Sequence, residues 1–231
     1  MIGVEARKYL DHTGLQLNRG SVDLMRYAAL NQGGDDLSNF GGFVPMSELA
    51  GPNLNPKALR RYSDEQLFAL ALYLDSLPPP PNPNPFDATA AVGKTVFERE
   101  RCASCHTPPL YSNNSLTPAV GFQIPPDHRE RYDIMDIRIG TDPTLAIQTR
   151  RGTGYYKVPS LRGVWYREYF GHSGSCKTLE DWFDLARLQD EYIPTGARLY
   201  GAKTQAVKGH EFGLRLSTSD KRALIAFLRT L

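Results

Sequence analysis

The chain has 231 residues, enough for one or two domains, and its 41% hydrophobic and 23% charged content is ordinary for a globular protein. The net charge of +2 is close to neutral. The sequence has no basic run and no basic face interleaved with aromatics, so nucleic-acid binding is not expected. No apolar run reaches the roughly 18 residues of a membrane-spanning helix, so no membrane span is expected.

The first 77 residues contain two predicted helices. The earlier one lies at about 22–30, and a glycine-rich loop follows it at 33–42. The later one runs from Ser63 to Leu77, because Ser63 and Gln66 match a capping box. Its leucines recur at helical spacing and predict a buried face made of Leu67, Leu70, Leu74 and Leu77.

A proline-rich stretch at 78–86 is the clearest candidate for a domain linker. Six of its first eight residues are proline, which cannot continue a helix and favours an extended chain. A helix is predicted to follow from Asp87 to about Arg101, with Gly93 and Phe97 on one face. The sequence thus predicts three parts, residues 1–77, 78–86 and 87–231.

Residues 102–106 read Cys-Ala-Ser-Cys-His and match the C-x-x-C-H attachment motif of c-type haem. Cys102 and Cys105 are spaced to bond the vinyl groups of a porphyrin, which leaves His106 as the proximal iron ligand. A zinc site would need about four ligands and hence a second ligand pair, which the sequence lacks. A thioredoxin-like pair would lie between a strand and a helix, whereas these flanks predict a helix end and a loop. We therefore expect one covalent haem c.

The region after the motif, 107–177, is predicted to be mostly loop, with short extended pieces at 133–139 and 155–158. So long a loop is unusual in a compact domain. A haem would remove the difficulty, because the porphyrin supplies apolar surface for the loops to wrap.

Two further helices are predicted, one at 178–188 with a cap at Thr178 and one at 217–231. The last helix resembles the helix at 63–77 at a constant offset of 154 residues. If this is an internal repeat, the first 77 residues are the tail of another haem domain, whose motif would lie about 50 residues before Met1. The chain would then be a fragment of a two-haem protein.

Three short blocks follow the haem motif in order. They are Lys-Val-Pro-Ser-Leu-Arg-Gly at 157–163, Tyr-Phe-Gly-His-Ser-Gly-Ser at 169–175 and Thr-Leu-Glu-Asp at 178–181. This order is similar to the C-terminal domain of bacterial di-haem cytochrome c peroxidases, whose blocks read K-V-P-S-L-R-N, Y-F-H-D-G-S and T-L-E-E. The flanking helices also resemble a cytochrome c domain, where the first and last helices cross at a glycine and an aromatic, here Gly93 and Phe227. The resemblance implies a mainly α, cytochrome c-like haem domain with long loops, preceded by the helical tail of a second cytochrome c-like domain.

The chain departs from the peroxidase pattern at two points. The helix after Thr-Leu-Glu-Asp lacks the methionine that ligates the second haem, and the expected His-Asp-Gly reads His-Ser-Gly at 172–174. The segment at 208–214, with Trp165 upstream, looks more like the branch that contains the bacterial rubber-cleaving oxygenases, in which a late histidine can ligate the second haem. This makes His210 the first choice for the sixth iron ligand and Met135 the second. The alternatives are an exposed loop histidine and a methionine that fills the core.

Three more residues are candidates for the haem pocket. The resemblance implies His172, Arg162 belongs to a group of cations that would pair with a haem propionate, and Trp165 would pack on the porphyrin. Each has an ordinary alternative, namely a turn histidine, a solvated charge and a core aromatic. Cys176 is left over and is expected to be an inert thiol, with an intermolecular disulfide as the alternative.

The expected function is one-electron transfer by a c-type cytochrome, with a redox partner protein or a small electron donor or acceptor. The alternative is a haem enzyme, either a cytochrome c peroxidase or a haem-dependent oxygenase, with an open or labile sixth iron position. Because c-type haem is attached outside the cytoplasm, a periplasmic or secreted location is expected. The first residues are not a signal peptide, which we expect to lie upstream or to have been removed.

Overall fold

The computed structural model describes residues 6–31, 63–150 and 152–231, so the predicted loop at 33–42 lies outside the described residues. The described chain is mainly α. Its elements are β1 (Tyr9–Leu10), β2 (Gln16–Leu17), α1 (Ser21–Asn31), α2 (Asp64–Ser76), α3 (Ala88–Arg99), β3 (Leu116–Pro118), α4 (His128–Arg131), α5 (Thr144–Ile147), β4 (Tyr155–Lys157), α6 (Leu179–Trp182) and α7 (Thr218–Arg229). Short 3₁₀ turns occur at Cys102–Ser104, Val164–Tyr166 and Leu185–Leu188. Within these described ranges, no helix is long and apolar enough to cross a membrane.

The chain forms two compact units that divide within the proline-rich stretch, between Pro79 and Pro80. A segment near the start, residues 9–15, belongs to the second unit, which nothing in the sequence indicates. The carbonyl of His12 in this segment accepts a hydrogen bond from the Lys157 N–H of β4 at 3.0 Å. Backbone pairing of this kind is independent of side-chain pattern, so periodicity could not predict it.

The first unit is built on the pair of helices α1 and α2, both of which the sequence predicts. The capping box is present, since the Ser63 hydroxyl accepts the Gln66 N–H at 3.2 Å and the Gln66 side chain accepts the Ser63 N–H at 2.9 Å. The core of the pair consists of Met25, Ala29, Leu67 and Ala71, flanked by Leu24 and Leu74. The predicted leucine face is therefore half wrong, because Leu70 and Leu77 are exposed.

In the second unit, α3 crosses α7 at a glycine. A Cβ atom on Gly93 would lie 1.9 Å from the carbonyl oxygen of Ala223 and 2.8 Å from the Cβ of Phe227. Such distances are far below van der Waals contact, so only glycine allows the two helices to approach this closely. The predicted meeting of Gly93 with Phe227 is confirmed.

Aromatic rings fill the space beside this crossing. The ring of Phe97 meets that of Phe227 edge to face at 5.3 Å, and the ring of Tyr111 lies 5.9 Å from Phe97 and 6.1 Å from Phe227. Edge-to-face pairs at these distances are favourable beyond the area they bury. The buried core around them comprises Val96, Phe97, Val164, Leu179, Phe183, Leu224, Ile225, Phe227 and Leu228.

The predicted helix at 178–188 is wrong in its second half. Thr178 and Asp181 form the expected capping box, but the α-helix ends at Trp182 and a 3₁₀ turn follows at Leu185–Leu188. Asp184 causes the break, because its backbone is extended and its carboxylate accepts the Ala186 N–H at 2.9 Å.

The predicted extended pieces are present only in part. β4 pairs with β3 in an antiparallel ladder, which confirms the piece at 155–158. The piece at 133–139 forms a single bridge, between Ile134 and Leu116. Most of the chain between α3 and α7 is therefore loop, as the sequence predicts.

Candidate haem site

The Cys-Ala-Ser-Cys-His motif forms a tight turn directly after α3. Arg101 ends the helix with a positive φ of 58°, which reverses the chain into the 3₁₀ turn Cys102–Ser104. The Cys102 carbonyl then accepts the N–H groups of Cys105 at 3.3 Å and His106 at 2.9 Å. The turn thus places both thiols and the imidazole on one short, hydrogen-bonded stretch of backbone.

The imidazole of His106 is buried and held through one of its nitrogens. Its Nδ1 lies 3.2 Å from the carbonyl oxygen of Tyr111 and 3.1 Å from that of Pro159. Carbonyls only accept hydrogen bonds, so Nδ1 carries the proton and Nε2 keeps a free lone pair. Hydrogen bonding of the far nitrogen fixes the tautomer and the ring orientation of a metal-binding histidine.

Electrostatics favour the neutral, metal-binding form of His106. Burial lowers its pKa, and the charge of Arg167 lowers it further, against the opposing hydrogen bonds to Tyr111 and Pro159. An imidazole must be neutral to bind a metal ion. The sequence interpretation did not include Arg167 among the cations near the site.

The two motif cysteines have different surroundings. Cys102 packs against the aromatic core, and burial raises the pKa of its thiol to about 11, with the charge of Glu100 adding to the shift. The Sγ atom of Cys105 lies 4.0 Å from the Sδ atom of Met135. Both thiols are reduced and neither forms a disulfide in the structure.

Met135 is thus a direct neighbour of the motif. Its Sδ also accepts a hydrogen bond from the Asn113 side chain at 2.8 Å. This places the second-choice ligand beside the Cys105 thiol, with its sulfur already hydrogen-bonded.

His210 faces His106. The centroids of the two imidazole rings are 6.3 Å apart, although the residues are separated by more than a hundred positions in the chain. The His210 ring also lies 5.5 Å from the ring of Trp182 and 5.3 Å from that of Phe212, so it is packed between aromatics rather than being an exposed loop histidine.

The spacing of the two imidazoles fits a single metal ion between them. Metal–imidazole nitrogen bonds are about 2 Å long, so two such bonds in line place the ring centroids about 6 Å apart. The observed 6.3 Å agrees with this value. By this distance, the two imidazoles could both bind a metal ion such as a haem iron.

The two imidazoles differ in how they are held. Nδ1 of His210 is buried and has no hydrogen-bond partner among the other described residues, whereas Nδ1 of His106 has two carbonyls. Burial lowers the pKa of His210 to about 4, and the charges of His106 and Arg187 contribute to the shift. His210 is thus also neutral, and no other described residue forms a hydrogen bond with its Nδ1.

The other predicted pocket residues lie elsewhere. His172 stacks on the ring of Tyr156 at 4.7 Å, Arg162 is exposed, and Trp165 meets Tyr166 edge to face. No hydrogen bond or ring contact of the described residues joins these three to His106 or His210. Their roles in a haem pocket stay predictions.

Cys176 is fully buried, and burial raises the pKa of its thiol to about 11. A buried, protonated thiol is neither nucleophilic nor free to pair with another chain. This favours the inert role over the intermolecular disulfide.

No family model, curated protein or solved structure matches this chain. Within residues 6–31, 63–150 and 152–231, no group of three or more His, Cys, Asp or Glu side chains is arranged to hold a metal ion. A haem needs no such group, because the porphyrin brings its own ligands and the protein adds only the axial ones.

Proposed function

We propose that this chain is a c-type cytochrome, within the di-haem peroxidase-like superfamily, that carries one covalent haem and transfers electrons. Cys102 and Cys105 would attach the porphyrin through thioether bonds, and His106 and His210 would bind its iron. The observation that carries the proposal is the 6.3 Å separation of these two imidazoles directly beside the attachment motif.

Three further features support a cytochrome c-like domain around this site. The helix that leads into the motif crosses the last helix at Gly93, as in the cytochrome c fold. The free lone pair of His106 faces away from the two carbonyls that hold its Nδ1. Buried apolar and aromatic side chains line the neighbouring core, which would lower the local dielectric around a bound haem.

A haem bound here supplies a reversible one-electron couple, and the protein tunes its potential. The chain's own residues bind and orient the group: the two thiols anchor it and the His106 carbonyl contacts fix one imidazole. With both histidines bound to the iron, no position would be left for a substrate, which would suit electron transfer. The partner would be a redox protein or a small electron donor or acceptor, in the periplasm or outside the cell.

The experiment that tests the proposal is expression in the periplasm together with a c-type haem maturation system. The purified protein should give a pyridine haemochrome spectrum of haem c and a mass increase of one haem. Cys105→Ala should lose one thioether bond, which changes that spectrum. Cys176→Ala, which removes the cysteine outside the motif, should leave both spectrum and mass unchanged. A wild-type protein without covalent haem would refute the proposal.

The axial assignment has its own test. His210→Ala should convert the ferric spectrum from low-spin to high-spin, whereas Met135→Leu should leave it low-spin. The opposite pattern would make Met135 the sixth ligand.

One observation favours the alternative, a haem enzyme with a labile sixth position. Because no other described residue bonds Nδ1 of His210, this imidazole would be a weaker ligand than His106. An enzyme, whether a cytochrome c peroxidase or an oxygenase, needs the sixth position to open to an exogenous molecule. Fast cyanide binding by the wild-type ferric protein at neutral pH would favour the enzyme, and slow binding would favour the electron carrier.

A further inference from the structure

Arg187 is a fully buried cation near the candidate haem site. It is the largest of the side chains that are completely buried, with 0% of its surface exposed. No carboxylate of the described residues lies within ion-pair distance of its guanidinium. A buried charge is costly unless hydrogen bonds compensate it, so the contacts of this side chain are informative.

Within the described chain, all hydrogen bonds that the guanidinium donates go to backbone carbonyls, and the charge of Glu211 also favours its charged form. Its Nε donates to the Trp182 carbonyl at 2.8 Å, and one terminal nitrogen donates to the Val207 carbonyl. The other terminal nitrogen donates to the carbonyls of Gly209 and His210, both at 2.9 Å. Charge-assisted hydrogen bonds of this kind are about twice as strong as neutral ones. The side chain therefore ties the segment 207–210 to the end of α6.

The same segment is held from its other side. The His210 N–H donates to the Ile139 carbonyl at 2.8 Å. A Cβ on Gly209 would lie 2.2 Å from the backbone nitrogen of Thr141, so the two chains are in close contact. The backbone of His210 has a positive φ of 47°, which a residue other than glycine adopts only where its surroundings enforce it.

Arg187 also contacts one of the aromatic rings that pack beside the His210 imidazole. Its guanidinium stacks over the Trp182 ring at 4.5 Å, and that ring is one of the two aromatics that flank the His210 imidazole. One side chain thus fixes both the backbone of His210 and a wall of its ring.

We propose that Arg187 is the positioning residue that keeps His210 on the iron and so controls whether the sixth position is closed or open. His106 is oriented through its ring nitrogen by two carbonyls. No other described residue bonds Nδ1 of His210, whose backbone is held by the Arg187 guanidinium on one side and the Ile139 carbonyl on the other. The inference rests on the proposed haem site and goes beyond it, because it assigns the control of ligand access to a residue other than the proposed iron ligands.

Arg187→Lys tests this assignment. Lysine keeps the charge, but its single ammonium cannot reach four carbonyls in the fork geometry of a guanidinium. Loss of one charge-assisted bond to the segment should raise the open fraction, and with it the apparent affinity for cyanide, about tenfold or more. The ferric spectrum should gain a high-spin component. A variant that stays low-spin with wild-type cyanide affinity overturns the inference.

Tyr155→Phe is the matched control for general loss of stability. It removes one hydrogen bond of the second unit, from Tyr155 to Nδ1 of His128 at 2.9 Å, in a separate side-chain cluster. Its cyanide affinity and spin state should match the wild type. An equal shift in this control would show that Arg187 acts only through stability and would overturn the inference.

A measurement on the wild-type holoprotein covers the case in which Arg187→Lys does not fold. Hydrogen exchange should be slow at the amides of Val207 and His210, which donate to the Arg187 and Ile139 carbonyls. It should be faster in the exposed turn at 199–201. Equal, fast exchange at both places would overturn the inference about Arg187, while the haem spectrum would still support the proposed haem site. A wild type without covalent haem refutes the proposed function and this inference together.

Discussion

Gly93→Ala tests the helix crossing that supports the candidate site. The added methyl carbon must move from 1.9 Å to at least 3.4 Å from the Ala223 carbonyl oxygen, a displacement of about 1.5 Å. Neither contacted atom can move easily, because the Ala223 oxygen belongs to the backbone and the other atom is the Cβ of Phe227. Overpacking of this kind costs about 3 kcal/mol. The better helix propensity of alanine returns about 1 kcal/mol, so a net loss of about 2 kcal/mol is expected.

A loss of that size should lower the melting temperature by about 4–8 °C in a protein of 150–250 residues. Thermal unfolding followed by circular dichroism measures it, and urea unfolding gives the free energy independently. Gly20→Ala is the control, since a Cβ at Gly20 meets nothing within 4 Å and should change stability by less than about 1 kcal/mol. A melting temperature of Gly93→Ala within about 1 °C of the wild type, which is roughly the precision of the measurement, would show that α3 and α7 do not cross this closely.

Three other predictions concern the second unit. Asp87→Ala should lower the free energy of unfolding, measured in urea, by about 1 kcal/mol, because the carboxylate accepts the Ala90 N–H at 2.8 Å and caps α3. Asp87→Asn should restore most of this loss. Phe227→Ala should cost about 3–5 kcal/mol by removing the ring at the centre of the aromatic cluster, whereas Phe68→Ala, at an exposed position, should cost little. Burial lowers the pKa of His172, partly opposed by the charge of Asp142, so the folded state binds fewer protons than the unfolded state. The contribution of His172 to the free energy of unfolding should therefore be complete above about pH 6.5 and fall as the pH drops below that value. His172→Gln should reduce the difference in unfolding free energy between pH 7 and pH 5, and an unchanged difference would contradict the assignment.

The asymmetry of the two histidines connects the proposed functions. A ligand held through its ring, like His106, keeps its orientation when the surrounding loop moves. A ligand held through its backbone, like His210, depends on the segment that carries it. If both histidines bind a haem iron as proposed, the choice between an electron carrier and an enzyme depends on the stability of the segment 207–210, which the cyanide and exchange experiments measure.

The sequence by itself determined the features that depend on short-range chemistry. The capping boxes located the starts of α2 and α6, because an N-cap bonds its own helix three residues on. The C-x-x-C-H spacing identified the candidate attachment site, since both thiols and the imidazole come from one turn. It could not predict the break after Trp182, because Asp184 competes for the backbone with a helix that the apolar pattern favours equally well.

Tertiary structure decided what depends on residues far apart in the chain. The resemblance proposed His210, but only the fold places its ring 6.3 Å from that of His106. The carbonyls of Tyr111 and Pro159 leave no side-chain signal, so their role in holding His106 is invisible in the sequence. In the sequence, Arg187 stands out only weakly, as a cation within an apolar helix pattern. Its carbonyl partners are Trp182, before the loop of roughly twenty residues, and Val207, Gly209 and His210, after it. Local rules fix caps and motifs because the partners are neighbours, whereas the positions of His210 and Arg187 relative to His106 are fixed by how the loops pack.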